Sequence, residues 1–384
     1  MTKSQKSKTP FNKPFIVGKE LFYISKAVLD GKLSGDGKFT KLCHEWLVNN
    51  LGCFKSLLVH SCTAALEMAA ILCDIKPGDE IIMPSFTFVS TANAVVLRGG
   101  VPVFVDIRQD TLNIDEKLIE KAITPKTRAI VAVHYAGVSC DMDTIMDIAS
   151  RHKLYVVEDA AQALLSKYKD RYLGSIGHLG CLSFHETKNI ISGEGGALLL
   201  NDETLFERAE IIREKGTNRS RFFRGEVDKY TWVDIGSSYL PSELIGAFLF
   251  AQLEMAEEII SERMHIYQQY MKLLRLLEEK GYILLPYEDE NSTPNGHMLY
   301  FFTRSNNERH DLIDYLKSKD IDAVFHYIPL HSSPAGIKFS RTSGDMKFTN
   351  DLSSKLIRLP LFYGMKDHEI NNVVDKIYTF YKVK

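Results

Sequence analysis

Short apolar runs alternate with amphipathic segments through the first half of the chain. The apolar runs predict strands at residues 57–59, 80–84, 101–105, 130–133, 154–158, 179–184 and 197–201. Segments with apolar residues at helical spacing predict helices at residues 21–29, 64–73, 91–97, 142–152, 160–165 and 203–213. Because strands that are apolar throughout are buried on both faces, the alternation predicts an α/β fold with a mainly parallel central sheet.

The pattern changes after a buried helix predicted at 244–253. A long amphipathic helix is predicted at 254–277, followed by strands at 298–303 and 323–327 and helices at 309–319, 350–356 and 367–381. These elements predict a second, smaller α/β domain. We therefore divide the chain into a tail at 1–12, a large domain at 13–250 and a small C-terminal domain at 251–384. The tail is rich in Lys, Ser and Thr and lacks the apolar core of a signal peptide, which predicts disorder.

Composition excludes several classes of function. The net charge of −2 gives the chain no bulk attraction to nucleic acid or to an anionic membrane. No apolar run approaches the roughly 18 residues of a membrane span. The six cysteines form no C-x-x-C pair, which predicts reduced thiols in a cytoplasmic protein and argues against a disulfide frame or a zinc site. The histidines that follow strands, His134 and His185, are too scattered to predict a metal site.

Candidate chemistry lies where predicted strands end. Phe88, His134, Tyr135, Asp159 and His185 all follow predicted strands, and ligands of parallel sheets bind at the carboxyl ends of strands.

Lys188 stands between the apolar run 179–184 and the glycine-rich turn 193–196. A lysine that can lose its proton and a carboxylate such as Asp159 are what a pyridoxal phosphate enzyme needs. Two plainer interpretations stay open at this point: Lys188 as a solvated surface charge, and Asp159 as the cap of a helix at 160–165.

Three further segments each have more than one interpretation. Ser61 is a suitable N-cap, so the helix behind it offers free N–H groups to a phosphate or binds nothing. The glycines of segment 31–37 suggest positive φ angles, in a plain connector or a ligand-facing loop. Segment 216–230 is basic, which suits a solvated face, an interface or a substrate arm.

Five motifs in one order resemble the DegT/StrS family of sugar-nucleotide aminotransferases. They are residues 35–37, 61–66, 84–93, 158–162 and 183–189, and the likeness runs from about Phe11 to the C-terminus. The resemblance implies an aspartate-aminotransferase-like (type I) pyridoxal phosphate fold and a homodimer with shared active sites. It also implies transfer of an amino group from L-glutamate to a 4-keto-6-deoxy sugar nucleotide, with pyridoxamine phosphate as the intermediate cofactor form. A 3-keto or UDP-linked sugar substrate and a non-catalytic pyridoxal phosphate-binding regulator are the alternatives.

The resemblance also assigns residues. Lys188 would be the Schiff-base lysine and the group that moves the proton. The cofactor-binding residues implied are Cys62, Thr63, Phe88, Asp159, Gln162, Ser183, Lys188 and Ser238. Asp159 would pair with the pyridine nitrogen, Gln162 would lie near the phenolic oxygen, and Phe88 would stack on the ring.

Ser183 and the N–H groups of Cys62 and Thr63 would hold the phosphate. Many members carry Asn and Arg where this chain has Ser238 and Leu240, and that Asn reaches the partner subunit's phosphate. The candidates for binding the nucleotide diphosphate and the sugar are Lys215, Arg219, His326, Tyr327 and His331.

Overall fold

The computed structural model describes residues 8–383. Its helices are α1 (Glu20–Leu29), α2 (Lys38–Leu51), α3 (Cys62–Leu72), α4 (Val89–Val96), α5 (Glu116–Ala122), α6 (Met142–His152), α7 (Phe206–Arg213), α8 (Arg219–Phe223), α9 (Glu243–Leu253), α10 (Ala256–Glu279), α11 (Asn306–Lys317), α12 (Pro334–Phe339), α13 (Lys347–Lys355) and α14 (Asp367–Tyr381). Its strands are β1 (Lys55–Val59), β2 (Glu80–Pro84), β3 (Val101–Val105), β4 (Thr127–Val133), β5 (Tyr155–Asp159), β6 (Lys167–Tyr168), β7 (Arg171–Tyr172), β8 (Leu179–Ser183), β9 (Gly196–Leu200), β10 (Ile283–Leu284), β11 (Ser292–Thr293), β12 (Leu299–Thr303), β13 (Arg341–Thr342) and β14 (Leu356–Leu359).

Eight strands form the central sheet in the order β1-β9-β8-β5-β4-β2-β3-β13. From β8 to β13 the neighbours run parallel, whereas β9 is antiparallel to both β8 and β1. Successive residues of a strand enter different hydrophobic clusters. Ile82 and Val156 belong to one cluster, and Ile81 and Val157 belong to another. Both faces of the sheet are therefore buried, and the predicted α/β fold with a mainly parallel sheet is confirmed.

The C-terminal part has its own three-stranded antiparallel sheet, β10-β12-β14. A third hydrophobic cluster covers it, with residues from Ile266 to Tyr381. Helix α10 connects the two parts, since Ile259 packs in the first cluster and Ile266 in the third. The division at 250/251 stays a prediction. Within residues 8–383, no helix combines the length and the apolar character that crossing a bilayer requires.

Two predicted elements are absent from the structure. Residues 160–165 form turns and not a helix, and Leu165 has φ 62°, a left-handed value that a helix cannot contain. Residues 323–327 form no strand. Only Val324 pairs there, in a single bridge with Arg358. Arg358 lies on β14, a strand that the sequence did not predict: the predicted helix at 350–356 ends at Lys355, and the chain then pairs with β12 as β14.

The predicted tail at 1–12 falls partly on residues 1–7, which lie outside the described residues. From residue 8 on, the chain packs against the fold. Thr9 is buried and forms a parallel bridge with Ile321, in which the Thr9 N–H donates to the Asp320 carbonyl at 2.8 Å.

The glycine segment 31–37 is built on close contacts more than on positive φ. Gly31 does have φ 71°, but between Gly35 and Gly37 the left-handed residue is Asp36, with φ 59°. A Cβ on Gly35 would lie 2.3 Å from the Pro241 carbonyl oxygen, so glycine is required there by space.

Hydrogen bonds to Glu243 hold the end of this segment in place. Its buried carboxylate accepts hydrogen bonds from the N–H groups of Gly37 at 3.0 Å, Phe39, and Thr40 at 3.2 Å, and from the Thr40 hydroxyl at 2.6 Å. These are the N–H groups that the start of α2 leaves free, so a carboxylate from α9 caps α2.

Replacing Glu243 by Ala should lower the free energy of unfolding by about 2–4 kcal/mol, because several buried N–H groups lose a charged acceptor. Urea denaturation followed by circular dichroism measures the change. Glu254→Ala is the matched control, since Glu254 binds the exposed Lys19 side chain at 3.1 Å and a surface pair contributes little. Equal stability of the two variants would contradict the capping role.

Candidate active site

A cavity of about 520 Å³ lies at the carboxyl ends of β4, β5 and β8. It brings together these predicted residues: Cys62, Thr63, Phe88, Asp159, Gln162, Ser183, Lys188, His326 and Tyr327. Most of its lining residues come from the central-sheet part of the chain, and the C-terminal part contributes His326 and Tyr327. Residues from distant parts of the sequence thus face one volume.

Lys188 is held in a tight loop that continues the β8–β9 pairing. The Phe184 N–H donates to the Gly195 carbonyl and the Glu186 N–H to the Gly193 carbonyl, both at 2.9 Å, and Gly193 has φ 78°. The Lys188 side chain lines the cavity and is half-buried, so it is not a solvated surface charge. Burial lowers the pKa of Lys188, and the nearby Asp159 carboxylate offsets only part of that effect.

Asp159 ends β5 with its carboxylate buried and fixed from two sides. Its Oδ2 accepts a hydrogen bond from the Thr91 hydroxyl at 2.7 Å, and Oδ1 accepts one from the Ala161 N–H at 3.3 Å. The Thr91 oxygen in turn lies 2.9 Å from the Thr87 hydroxyl. Since no helix follows, Asp159 is not a helix cap, and this network holds a carboxylate against the cavity.

The start of α3 forms an anion cradle. The Ser61 side chain caps the helix by accepting the Ala64 N–H at 3.1 Å, which confirms the predicted N-cap. The N–H groups of Cys62 and Thr63 are first-turn groups that the helix itself cannot use. A Cβ on Gly196 would lie 2.5 Å from the Cys62 nitrogen, so only glycine lets β9 pass this close to the helix start.

Gln162 and Tyr327 line the same cavity. The Gln162 Oε1 accepts the Ala136 N–H at 2.7 Å, and its Nε2 donates to the Tyr327 hydroxyl at 2.8 Å. The Tyr327 ring stacks on His326 with centroids 3.6 Å apart and lies 6.2 Å from the Phe88 ring. Burial raises the pKa of Tyr327 and lowers that of His326 well below its ordinary value, so both side chains are neutral at neutral pH.

This donor set fits pyridoxal phosphate. Helix-start N–H groups with the Ser183 and Thr63 hydroxyls suit a phosphate, Asp159 suits a protonated pyridine nitrogen, and Lys188 supplies an amine. Phe88 and Tyr327 bring aromatic rings to the same cavity. The residues present are therefore those that the cofactor requires.

Four predicted site residues do not line this cavity. Lys215 and Arg219 both lie near the Glu214 carboxylate, at 3.4 and 3.8 Å. Ser238 is exposed and forms a bridge with Glu214. His331 shares a hydrogen bond with the Ser85 hydroxyl at 2.7 Å.

Among the cavity residues that the sequence did not predict are Phe11, His297 and Arg358. Arg358 carried a usable signal, since a lone charged residue inside the apolar run 356–361 is typical of a buried, functional charge. Phe11 and His297 carried none, because a single aromatic residue near the N-terminus and a histidine after a glycine are common.

Comparison with known proteins gives consistent matches along the chain. The sequence model described as the DegT/DnrJ/EryC1/StrS aminotransferase family matches residues 16–378. The spore coat polysaccharide biosynthesis protein SpsC of Bacillus subtilis (strain 168) is 31% identical over 376 residues, 96% of this chain and 96% of SpsC. The GDP-perosamine synthase of Escherichia coli O157:H7 is 30% identical, covering 98% of this chain and 99% of that protein.

A solved structure matches equally fully. Spr1654 from Streptococcus pneumoniae in its PLP form is 25% identical and has a TM-score of 0.88, covering 98% of this chain and 99% of that chain. The PMP form of the same protein also gives a TM-score of 0.88.

We expect Lys188 of the cofactor-free protein to react with a small amine-directed reagent at lower pH than Lys272, which is exposed on α10. Burial lowers the pKa of Lys188 below the ordinary value of 10.5, so its reactive neutral form persists at lower pH. Peptide-resolved mass spectrometry over a pH series measures both rates. Identical pH profiles for the two lysines would contradict the lowered pKa of Lys188.

Proposed function

Because the chain belongs to the DegT/DnrJ/EryC1/StrS aminotransferase family, we propose that it transfers the amino group of L-glutamate to the C4 ketone of dTDP-4-keto-6-deoxyglucose. The product would be dTDP-4-amino-4,6-dideoxygalactose. The chain is a pyridoxal phosphate-dependent sugar aminotransferase with the type I fold. The choice of sugar rests on the likeness of residues 86–93, 184–189, 213–220 and 324–331 to the dTDP-4-amino-4,6-dideoxygalactose transaminase of enterobacterial common antigen synthesis.

The observation that carries the proposal is the shared cavity of Lys188 and Asp159. Pyridoxal phosphate, when bound, supplies an electron sink and carries the amino group between the two substrates. The Asp159 carboxylate would keep the pyridine nitrogen protonated. The Lys188 Nζ would take the proton from the donor's α-carbon and, in the second half of the reaction, deliver a proton to C4 of the sugar.

The lowered pKa of Lys188 suits this work, because a general base must reach its neutral form near the working pH. Gln162 and Tyr327 would orient the ring. The Tyr327 phenol stays protonated because burial raises its pKa, so it can donate a hydrogen bond to an oxygen of cofactor or sugar.

Other sugar nucleotides are the nearest alternatives. One relative is named GDP-perosamine synthase, so a GDP-linked sugar belongs in the test beside dTDP- and UDP-linked ones and beside 3-keto isomers. A non-catalytic regulator that binds pyridoxal phosphate is the alternative outside enzymology. A regulator has no need of a proton-transferring lysine, and Lys188 lines the cavity in this chain.

The test incubates the purified protein with L-glutamate and a panel of 3-keto and 4-keto sugars linked to dTDP, UDP or GDP. We expect amination of the dTDP-linked 4-keto sugar, with an axial C4 amine identified by NMR. Lys188→Ala supplied with pyridoxamine phosphate should be at least about 100-fold slower, since general acid–base catalysis is lost. Lys272→Ala is the matched control and should keep full activity, because Lys272 is exposed on α10.

Undiminished turnover by Lys188→Ala would overturn the role of Lys188. Amination of a different sugar would overturn the substrate, and cofactor binding without any reaction with glutamate would favour the regulator.

We propose a cytoplasmic homodimer whose subunits complete each other's sites. Phe223, 69% exposed, and Trp232, 78% exposed, are large apolar side chains on the segment that also carries Lys215 and Arg219. Exposed apolar residues grouped in this way suit an interface. In a dimer this segment would bring Lys215, Arg219 and Ser238 to the partner's cavity. The six cysteines are free and buried, as suits a reducing compartment.

Complementation between inactive variants tests the shared site. Lys188→Ala co-expressed with the double variant Lys215→Ala/Arg219→Ala should recover about half of the wild-type activity in the purified heterodimer, because each heterodimer then contains one intact site. Lys188→Ala co-expressed with Asp159→Ala should recover none, since both residues act within one chain. Activity of the differently tagged, co-purified dimers is the measurement. No recovery in the first pair would contradict the contribution of the partner.

A further inference from the structure

Arg358 is a half-buried cation for which residues 8–383 supply no acidic partner. It lies on β14, opposite Tyr300 of β12, and lines the cavity. Its Nε is buried and has no hydrogen-bond partner, and within residues 8–383 the guanidinium forms no ion pair. Burial lowers its pKa, as expected for a charge that lacks compensation.

The other charges around the cavity are already in use. Asp159 is committed to Thr91 and would face the pyridine nitrogen. Glu194, the other acid that lines the cavity, is exposed and lies 3.6 Å from His185. The buried Arg263 is also a cation, and it donates to the carbonyl oxygens of Gly296 and His297.

An unpaired cation that is partly shielded from water is unfavourable, so a ligand that supplies an anion gains affinity at this position. The cofactor phosphate has its own cradle at the start of α3, on the large domain. Arg358 lies on β14, in the C-terminal part. The missing anion therefore belongs to a substrate.

The two substrates offer different anions. A sugar nucleotide carries its diphosphate across the sugar ring from the C4 ketone, far from the reacting carbon. An amino donor carries a carboxylate one bond from its reacting α-carbon. Arg358 lines the same cavity as Lys188 and pairs with Val324, which is close in sequence to the stacked rings of His326 and Tyr327. The geometry favours the carboxylate.

We propose that Arg358 binds a carboxylate of the amino donor, and that it holds the donor for reaction at Lys188. The inference rests on the proposed transamination. A guanidinium is planar and presents two parallel N–H groups to a carboxylate.

Phe11 leaves that edge of Arg358 free. The guanidinium carbon lies over the Phe11 ring, 4.6 Å from its centroid. Stacking covers one face of the plane and not its hydrogen-bonding edge. The segment that carries Phe11 is tied at both ends, by the Thr9–Ile321 bridge and by the Asn12 side chain, which donates to the Glu186 carbonyl at 3.4 Å. Arg358 is thus oriented before a substrate arrives.

The test measures the two half-reactions separately on the holoenzyme. With L-glutamate, Arg358→Met should lose about 100-fold or more in the second-order rate of the cofactor's absorbance change. With the pyridoxamine phosphate form and the keto sugar nucleotide, the same variant should react at the wild-type rate. Arg358→Lys should recover part of the glutamate rate, since it keeps the charge but not the fork. Arg304→Met is the matched control and should change neither rate, because Arg304 pairs with Glu308 on the surface.

A binding measurement supplies a readout that is independent of turnover. Calorimetry of 2-oxoglutarate and of pyruvate with the pyridoxal phosphate form should show weaker binding to Arg358→Met. Weaker binding of both ligands assigns Arg358 to the α-carboxylate. Weaker binding of 2-oxoglutarate alone assigns it to the side-chain carboxylate. Thermal melting of ligand-free Arg358→Met checks folding. Its melting temperature should not be lower than that of the wild type, because the substitution removes a charge that has no ion-pair partner.

Slower reaction of Arg358→Met with the sugar nucleotide, together with an unchanged glutamate rate, would assign Arg358 to the diphosphate and overturn the proposal. Unchanged rates and affinities throughout would overturn it as well. Neither glutamate nor 2-oxoglutarate involves the sugar, so the result stands apart from whether the proposed sugar is correct.

Discussion

Burial of the central sheet on both faces determines where this chain can carry reactive groups. A strand covered on both sides has room for apolar side chains along its length, so polar groups are confined to its ends. Parallel strands bring their carboxyl ends to one edge, and crossover helices begin there with free N–H groups. Asp159, Ser183 and the start of α3 meet at that edge as a consequence. The cavity is therefore a product of the sheet's topology.

Glu158, the residue before Asp159, shows what a polar side chain needs when it lies inside the sheet and not at its edge. It points into the core beside the cavity residue Asp159, and its carboxylate accepts the N–H groups of Gly174, Ile176 and Gly177 at 2.6–2.7 Å and shares a hydrogen bond with His134. Burial alone would raise its pKa, but these hydrogen bonds outweigh burial and the net pKa is lowered. The two neighbouring acids thus have different roles. Glu158 stabilises the core, and Asp159 lines the cavity.

Helices and strands whose own apolar pattern and flanking turn residues specify them could be predicted from the sequence. The strands at 80–84 and 101–105 and the helices at 142–152 and 367–381 have the predicted bounds because apolar period and turn residues agree there. The turns at 160–165 depend on Gln162 binding the distant Ala136, which no local pattern contains. Lys188 and Asp159 follow strands and could be found, whereas Arg358 lies on a strand of four residues that directly continues a helix. Tertiary contacts decide such positions.

The cavity depends on a contact between residues that are far apart in the sequence. Phe11 and Arg358 stack on each other, and both line the cavity. Bringing such distant residues together closes a long loop, and the entropy of loop closure must be overcome before the contact stabilises the fold. The strands that bear Asp159 and Ser183 are much closer in sequence and can pair earlier. A partly folded chain therefore has the sheet without a complete pocket, and small molecules bind only when folding is nearly finished.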